Sequence, residues 1–188
     1  METRTVREQL VGYAQTLIML RGFNGFSYRD LAELVGVKTS SIHYYFPAKD
    51  DLILEAVNTY SSESLAEMYA IDSSLPADAR LDRYTRMFGK VLGDGDQICL
   101  CGMLAADIAS LPENVKQAVQ SFFRSNETWL GKVLAEGKRQ GTLIDAGPPE
   151  AAGRTLYAAY QGAVLASRLF DTKSRLTEVT DSYKARKA

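Results

Sequence analysis

Residues 27–49 read SYRDLAELVGVKTSSIHYYFPAK, and the pattern in this stretch predicts the local structure of the N-terminal part of the chain. Ser27 belongs to the residue types that cap the free amides at the start of a helix. Leu31, Leu34 and Val35 then recur at three- and four-residue spacing, which is typical of one apolar helix face. The pattern predicts a short helix that begins after Ser27.

A second helix is predicted immediately afterwards, over residues 38–46. Gly36 can adopt the left-handed backbone that ends the first helix, so the chain turns within a few residues. Pro47 then ends the second helix because it lacks an amide hydrogen. Helical spacing places Ile42, Tyr45 and Phe46 on an inner face and Ser40, His43 and Tyr44 on an outer, polar face. Two short helices joined by a glycine turn are a helix-turn-helix.

Residues 23–54 resemble the DNA-binding domain of TetR/AcrR-type bacterial transcriptional regulators. The matching pieces are Arg21-Gly22-Phe23, Leu31-Ala32, Gly36-Val37, Tyr45-Phe46 and Lys49. The resemblance implies an all-α protein with a three-helix DNA-binding domain, residues 1–49, and a larger C-terminal helical bundle for ligand binding and dimerisation, residues 50–188. The run KTSS at residues 38–41 departs from the commoner serine-lysine-glycine run, so the operator sequence is not predicted.

The resemblance, together with the positive end of a helix dipole, indicates which residues contact DNA. Lys38, Thr39, Ser40 and Ser41 are expected to reach base edges or phosphates, and His43, Tyr44 and Lys49 to hold the backbone. The remaining expected DNA contacts are Arg4, Ser27, Tyr28 and Arg29. Arg4 and its neighbour Arg7 are alternatively two solvated charges. The polar face of the second helix is alternatively a solvated surface of a helical protein-interaction module without DNA binding.

Composition is ordinary for a globular protein, since 46% of the 188 residues are hydrophobic and 24% are charged. The formal net charge is -1, and residues 1–50 contain six basic and five acidic side chains. A basic patch is therefore missing, and the DNA-binding prediction rests on geometry and motif. No apolar run is long enough for a membrane span, and charges stand where a signal peptide would be apolar, which predicts a cytoplasmic protein without a membrane partner.

The rest of the chain also reads as helical, with no strand pattern. Further helices are predicted over residues 5–20, 50–71, 77–92, 97–110, 114–139, 150–170 and 173–185, with a loop at 93–96. The helix at 150–170 carries the small residues Ala158, Ala159, Gly162, Ala163 and Ala166 on one arc. Small side chains let two copies pack closely, and the resemblance implies a homodimer through the last two long helices.

The resemblance also implies a site for a small-molecule inducer among the middle helices. Aromatic and methionine side chains could line a cavity for an apolar or aromatic molecule, and the candidates are Met68, Tyr84, Phe88, Met103, Phe122, Trp129 and Tyr157. The alternative is that these residues are plain hydrophobic core.

Cys99 and Cys101 are too close in sequence for an unstrained disulfide. His43 is the only histidine, so a zinc site and a Ser-His-Asp or Cys-His catalytic arrangement both lack ligands or partners; neither a cofactor nor an enzymatic activity is expected. Some regulators that this chain resembles sense oxidants or electrophiles through a cysteine at the start of the equivalent helix, and Cys99 sits there. Its alternative role is that of a small buried hydrophobe.

These observations predict a dimeric, ligand-responsive transcriptional regulator, a repressor that an apolar or aromatic inducer releases from a near-palindromic double-stranded DNA operator. A thiol-based sensor on the same scaffold and a helical interaction module remain the alternatives.

Overall fold

A computed structural model describes residues 4–93 and 97–185. This part of the chain contains nine α-helices and a short 3-10 helix at Ile108–Ser110, and its only β-type pairing is an isolated bridge between Leu143 and Lys184. The α-helices are α1 Val6–Arg21, α2 Tyr28–Val35, α3 Thr39–Tyr45, α4 Lys49–Tyr69, α5 Ala77–Gly93, α6 Leu100–Ala106, α7 Glu113–Gln140, α8 Pro149–Leu169 and α9 Ser174–Ser182. The all-α prediction is confirmed. Three residues of the loop predicted at 93–96, namely 94–96, lie outside the described residues.

The chain divides into two compact units. The first contains Met1–Glu63 and Leu100–Ser121, and the second contains Ser64–Cys99 and Phe122–Ala188. Helices α4 and α7 each contribute to both units. The predicted boundary after residue 49 separates a DNA-binding part from a part for ligand binding and dimerisation, and it stays a prediction.

In the first unit, two capping boxes define where α1 and α2 begin. Thr5 and Glu8 cap α1 reciprocally, as Ser27 and Asp30 cap α2. Gly36 ends α2 with φ +75°, in the left-handed region that the glycine was predicted to supply. The cap predicted from sequence at Ser27 is therefore confirmed.

The core of the first unit contains Leu10, Ile18, Leu31, Ile42 and Phe46, none of which is more than 1% exposed. Three residues assigned to inner faces are not part of it, and one of them, Val35, is half-buried. Leu34 is 47% exposed and Tyr45 is 36% exposed. Helices of eight and seven residues bury a narrow stripe only, so residues at the edge of that stripe remain in contact with solvent.

The helix predicted over residues 97–110 is shorter than expected. It begins at Leu100 and ends at Ala106, and Asp107 leads into the 3-10 helix. The side chain of Asp107 accepts a hydrogen bond from the Phe23 amide, which fixes the chain at the point where α6 ends.

In the second unit, α7 and α8 approach each other backbone to backbone at two glycines. A Cβ atom on Gly153 would lie 2.2 Å from the Glu127 carbonyl oxygen, and one on Gly131 would lie 2.5 Å from the Pro149 carbonyl oxygen. Neither position therefore accommodates a side chain. Among the described residues, no helix has the length and apolarity needed to cross a membrane.

Candidate nucleic-acid interface and ligand region

The N-terminal end of α3 presents a polar surface. Lys38 precedes the helix in an extended conformation. Lys38, Thr39 and Ser40 are exposed, and Ser41 is half-buried. On the next turn His43 is exposed, and Tyr44 is 83% exposed. Hydrogen-bond donors and acceptors thus project along one side of a helix with its positive dipole end at Lys38.

Tyr28 holds α3 against α2. Its hydroxyl group donates to the Phe46 carbonyl oxygen at 2.9 Å, and its ring meets the His43 ring edge-on, with centroids 4.9 Å apart. Partial burial raises the pKa of Tyr28 to about 12, and the nearby carboxylates of Asp51 and Asp50 act in the same direction. Tyr28 was predicted to contact DNA; in this structure its hydroxyl group orients the recognition helix.

Ser27 and Arg29 also have partners within the protein. The Ser27 hydroxyl group takes part in the α2 capping box with Asp30, which lowers the pKa of Asp30. Arg29 forms an ion pair with Glu33 at 3.3 Å, and both side chains are largely exposed. An exposed pair of this kind is weak, so Arg29 can exchange Glu33 for a phosphate.

Lys49 was predicted to hold the DNA backbone, and this stays a prediction; in this structure its ammonium group makes contacts within the protein. Its Nζ atom donates to the carbonyl oxygens of Phe23 at 2.6 Å and Phe26 at 2.7 Å, and it lies 4.2 Å from the centre of the Phe26 ring. Burial lowers the pKa of Lys49. Both carbonyl groups belong to the loop between α1 and α2, so these hydrogen bonds let Lys49 stabilise that loop.

The two arginines near the N-terminus differ in their contacts. Arg7 forms an ion pair with Glu55, and its guanidinium group lies 4.9 Å above the Phe46 ring. Arg4 is exposed, and its Nη1 atom lies 3.8 Å from the position that a Cβ atom on Gly12 would occupy. Arg4 therefore extends along the surface of α1, whereas Arg7 is tied to α4.

An aromatic cluster fills the second unit, and it contains most of the residues predicted to bind a ligand. Tyr84 stacks on Phe88 and on Trp129, with ring centroids 5.8 Å and 5.4 Å apart. Phe88 meets Tyr157 edge-on with ring centroids 6.2 Å apart, and its ring is tilted by 37° against that of Tyr160, with centroids 5.9 Å apart. The structure therefore brings Tyr84, Phe88, Trp129 and Tyr157 together.

The other candidates for ligand binding are Met68, Phe122 and Met103. Met68 is fully buried, and Phe122 is 3% exposed. Met103 belongs to the first unit, where its Cε atom lies 3.5 Å from the position of a Cβ atom on Gly22. Met103 thus packs against the corner between α1 and α2.

Polar residues that the sequence did not single out lie inside the aromatic cluster. The Tyr84 hydroxyl group donates to Asn126 Oδ1 at 2.9 Å. The Tyr160 hydroxyl group lies 3.0 Å from the Thr85 hydroxyl oxygen and 2.9 Å from that of Thr180. Burial raises the pKa of both Tyr84 and Tyr160. Polar side chains at helical spacing within apolar stripes were the available signal for this network.

Both cysteines are buried and neither forms a disulfide. Cys99 is 2% exposed and immediately precedes α6; it is near enough to Tyr84 to contribute to the raised pKa of that phenol. The Cys101 sulfur lies 3.9 Å from the Ser61 hydroxyl oxygen. The position predicted for Cys99 is thus correct, and its burial fits the alternative of a small apolar residue.

Helix α8 exposes an apolar stripe. Ala158 and Gly162 are exposed, nothing approaches within 4 Å of a Cβ atom built on Gly162, and Leu165 and Leu169 are 55% and 77% exposed. The predicted arc of small residues is split, because Ala163 is buried at 8% exposure. The exposed stripe therefore combines two small residues with two leucines at spacings of four and three residues.

Two family profiles match the chain. "Bacterial regulatory proteins, tetR family" matches residues 12–56, and "Tetracyclin repressor-like, C-terminal domain" matches residues 78–183. The first match contains the helix-turn-helix described above, and the second alone spans more than half of the chain.

Individual relatives agree with these matches. The HTH-type transcriptional repressor NemR of Escherichia coli is 25% identical over 167 residues, which cover 87% of this chain and 84% of that protein. DhaR of Mycobacterium sp., also an HTH-type transcriptional repressor, is 24% identical over 166 residues, covering 87% and 83%. A TetR-family regulator from Agrobacterium tumefaciens has a solved structure with TM-score 0.89 and 30% identity, covering 96% and 98% of the two chains. The chain belongs to the TetR family of bacterial transcriptional regulators.

Proposed function

We propose that this regulator is a repressor that binds a near-palindromic operator as a homodimer and releases it when a small apolar or aromatic molecule binds the C-terminal unit. The chain is a DNA-binding, ligand-responsive regulator by family. Two of its relatives, NemR and DhaR, are named repressors, which supports repression over activation.

The observation that carries this proposal is the exposed end of α3. Lys38, Thr39, Ser40 and Tyr44 are exposed together, and Tyr28 fixes the orientation of their helix from behind. Thr39 and Ser40 have short side chains, so some bases are read through water or DNA shape. Lys38 supplies charge for the phosphates.

Dimerisation compensates for the near-neutral charge of the DNA-binding region. Two copies double the number of phosphate contacts and place two recognition helices about 34 Å apart, one in each of two successive major grooves. The apolar stripe of α8 is the surface we assign to this contact, since Leu165 and Leu169 are largely exposed in the single chain.

The aromatic cluster is the proposed inducer region. Tyr84, Phe88 and Trp129 offer ring faces, and the Tyr84–Asn126 pair offers a hydrogen-bonding partner inside an apolar setting. An inducer lowers operator affinity by the amount by which it binds better to the released conformation than to the DNA-bound one.

Gel retardation tests the proposal with the DNA that flanks the protein's own gene, repeated at rising salt. A repressor retards that fragment specifically, with an affinity that falls linearly on a log-log plot against salt. An unrelated fragment of equal length is the control. Equal retardation of both fragments, or none of either, contradicts the proposal.

A second candidate function is a thiol-based sensor, because Cys99 immediately precedes α6 and NemR of Escherichia coli has a solved structure of its reduced form. The Cys99 thiolate would add to the carbon-carbon double bond of N-ethylmaleimide, and the neighbouring carbon would take a proton. Treatment would then release the operator fragment from the wild-type protein and from Cys101→Ser, but not from Cys99→Ser. Equal release from both variants contradicts this role.

A further inference from the structure

We propose that Asp107 is a positioning residue for operator binding, because it fixes Phe23, the residue through which α6 and α4 together hold the corner that precedes the helix-turn-helix. The corner consists of residues 22–26, between α1 and α2. This proposal rests on the proposed function only where its test measures DNA binding.

The first contact comes from the end of α6. Asp107 Oδ2 accepts a hydrogen bond of 2.7 Å from the Phe23 amide. One residue after Phe23, Asn24 Nδ2 donates at 3.0 Å to the hydroxyl oxygen of Ser110, which lies three residues after Asp107. A charged acceptor makes the first bond the stronger of the two.

The corner is shaped to admit this carboxylate. Gly22 has φ +78°, and a Cβ atom at this position would lie 2.5 Å from Asp107 Oδ2. Glycine therefore serves two purposes here, since it adopts the left-handed backbone and it leaves room for the Asp107 side chain.

The second contact reaches the same residue from α4. Lys49 Nζ donates to the Phe23 carbonyl oxygen at 2.6 Å and to the Phe26 carbonyl oxygen at 2.7 Å. Phe23 thus has its amide fixed by α6 and its carbonyl fixed by α4. Its side chain is buried at 8% exposure, which restricts the residue further.

Lys49 connects this junction with the recognition helix. It is the first residue of α4, and α3 ends four residues earlier at Tyr45. Phe46, between them, is buried at 1% exposure and accepts the Tyr28 hydrogen bond. A change at the end of α6 therefore passes through Asp107, Phe23 and Lys49 to the C-terminal end of α3.

Hydrogen exchange in the full-length protein without DNA tests this path directly. We expect Asp107→Ala to accelerate exchange of the Phe23 amide about tenfold or more, and to accelerate exchange in residues 38–46 as well. Asp107→Asn should fall between Asp107→Ala and wild type, because its amide oxygen can still accept from Phe23. Circular dichroism of both variants establishes that they fold.

Asp72→Ala is the matched control, since Asp72 also accepts from a backbone amide, that of Ser74 at 2.9 Å, but in the second unit. Asp72→Ala should leave the exchange rate of the Phe23 amide and the exchange rates in residues 38–46 unchanged. The proposal is overturned if Asp107→Ala leaves the Phe23 amide unchanged, or if it loosens residues 21–27 alone and leaves 38–46 as in the wild type.

The DNA readout uses the fragment flanking the protein's own gene. Asp107→Ala should weaken binding about tenfold, and combining it with Lys49→Met should cost less than the sum of the two separate effects, because both act on Phe23. Additive effects would contradict a shared junction. Failure of the wild-type protein to bind any DNA would refute the proposed function, whereas the exchange experiment still decides the role of Asp107.

Discussion

The Tyr28 hydroxyl group donates a hydrogen bond of 2.9 Å to the carbonyl oxygen of Phe46, and this bond joins the start of α2 to the residue that ends α3. Each of these helices is too short to be stable alone, so their mutual orientation depends on contacts of this kind. The edge-on contact between the Tyr28 and His43 rings, with centroids 4.9 Å apart, joins the same two helices.

Because of the Tyr28 phenol, we expect the free energy of unfolding to decrease as the pH rises in the alkaline range. Its pKa is raised to about 12 in the folded protein, whereas an unfolded tyrosine titrates near its ordinary value of about 10. The resulting stabilisation is fully present below pH 10 and is lost as the pH rises towards 12. We expect wild type to lose more free energy of unfolding than Tyr28→Phe between pH 10 and 12, measured by urea denaturation. Parallel losses in the two proteins would contradict the assignment.

Lys38 should contribute charge to DNA binding without contributing to stability. One phosphate contact per protomer is removed in Lys38→Ala, so the log-log salt slope of operator binding should decrease by about 2 for a dimer. Lys173→Ala removes an exposed lysine from the opposite end of the sequence and should leave the slope unchanged. An unaltered slope in Lys38→Ala would show that this ammonium group does not contact phosphate.

A charged side chain in place of an exposed leucine of α8 should prevent dimerisation. Leu165 is 55% exposed in the single chain, and Leu165→Glu would place a carboxylate in the proposed contact between two copies. We expect sedimentation to show a monomer, because an unpaired charge is costly in an apolar interface. Ile144→Glu, at a side chain 41% exposed on a loop, is the control and should remain dimeric. Dimers in both variants would locate the interface elsewhere.

The buried pair of Tyr84 and Asn126 predicts a stability effect. Tyr84→Phe removes the donor and leaves Asn126 Oδ1 buried without it, which should lower the free energy of unfolding by about 1–3 kcal/mol. Tyr13→Phe changes a ring that is 38% exposed and should have little effect in the same denaturation experiment. An equal change in the two variants would show that the buried hydrogen bond is not stabilising.

The two ends of α2 were predicted correctly from local sequence. Ser27 caps α2 and Gly36 ends it with φ +75°, as expected from the residue types alone. These features depend on a few neighbouring residues, so sequence spacing is enough to find them. The same holds for the exposed positions Thr39, Ser40 and Tyr44 on α3.

Features that depend on distant partners could not be predicted in this way. Lys49 has the charge expected of a phosphate contact, but its ammonium group is bound by carbonyl groups 26 and 23 residues away in sequence. Asp107, which bonds to a residue 84 positions earlier, was not identified at all. The spacing of apolar residues along a helix indicates which face is apolar, but it does not indicate which backbone group a polar side chain will bond to.

The exposed end of α3 is the surface that we propose binds the operator. Fluorescence anisotropy with the fragment flanking the protein's own gene measures this binding, with the double variant Lys38→Ala/Tyr44→Ala compared with Tyr69→Ala, at an exposed tyrosine on α4. We expect the double variant to fold as stably as wild type and to bind at least about a hundredfold more weakly, while Tyr69→Ala binds normally. Unchanged affinity of the folded double variant would contradict this proposal.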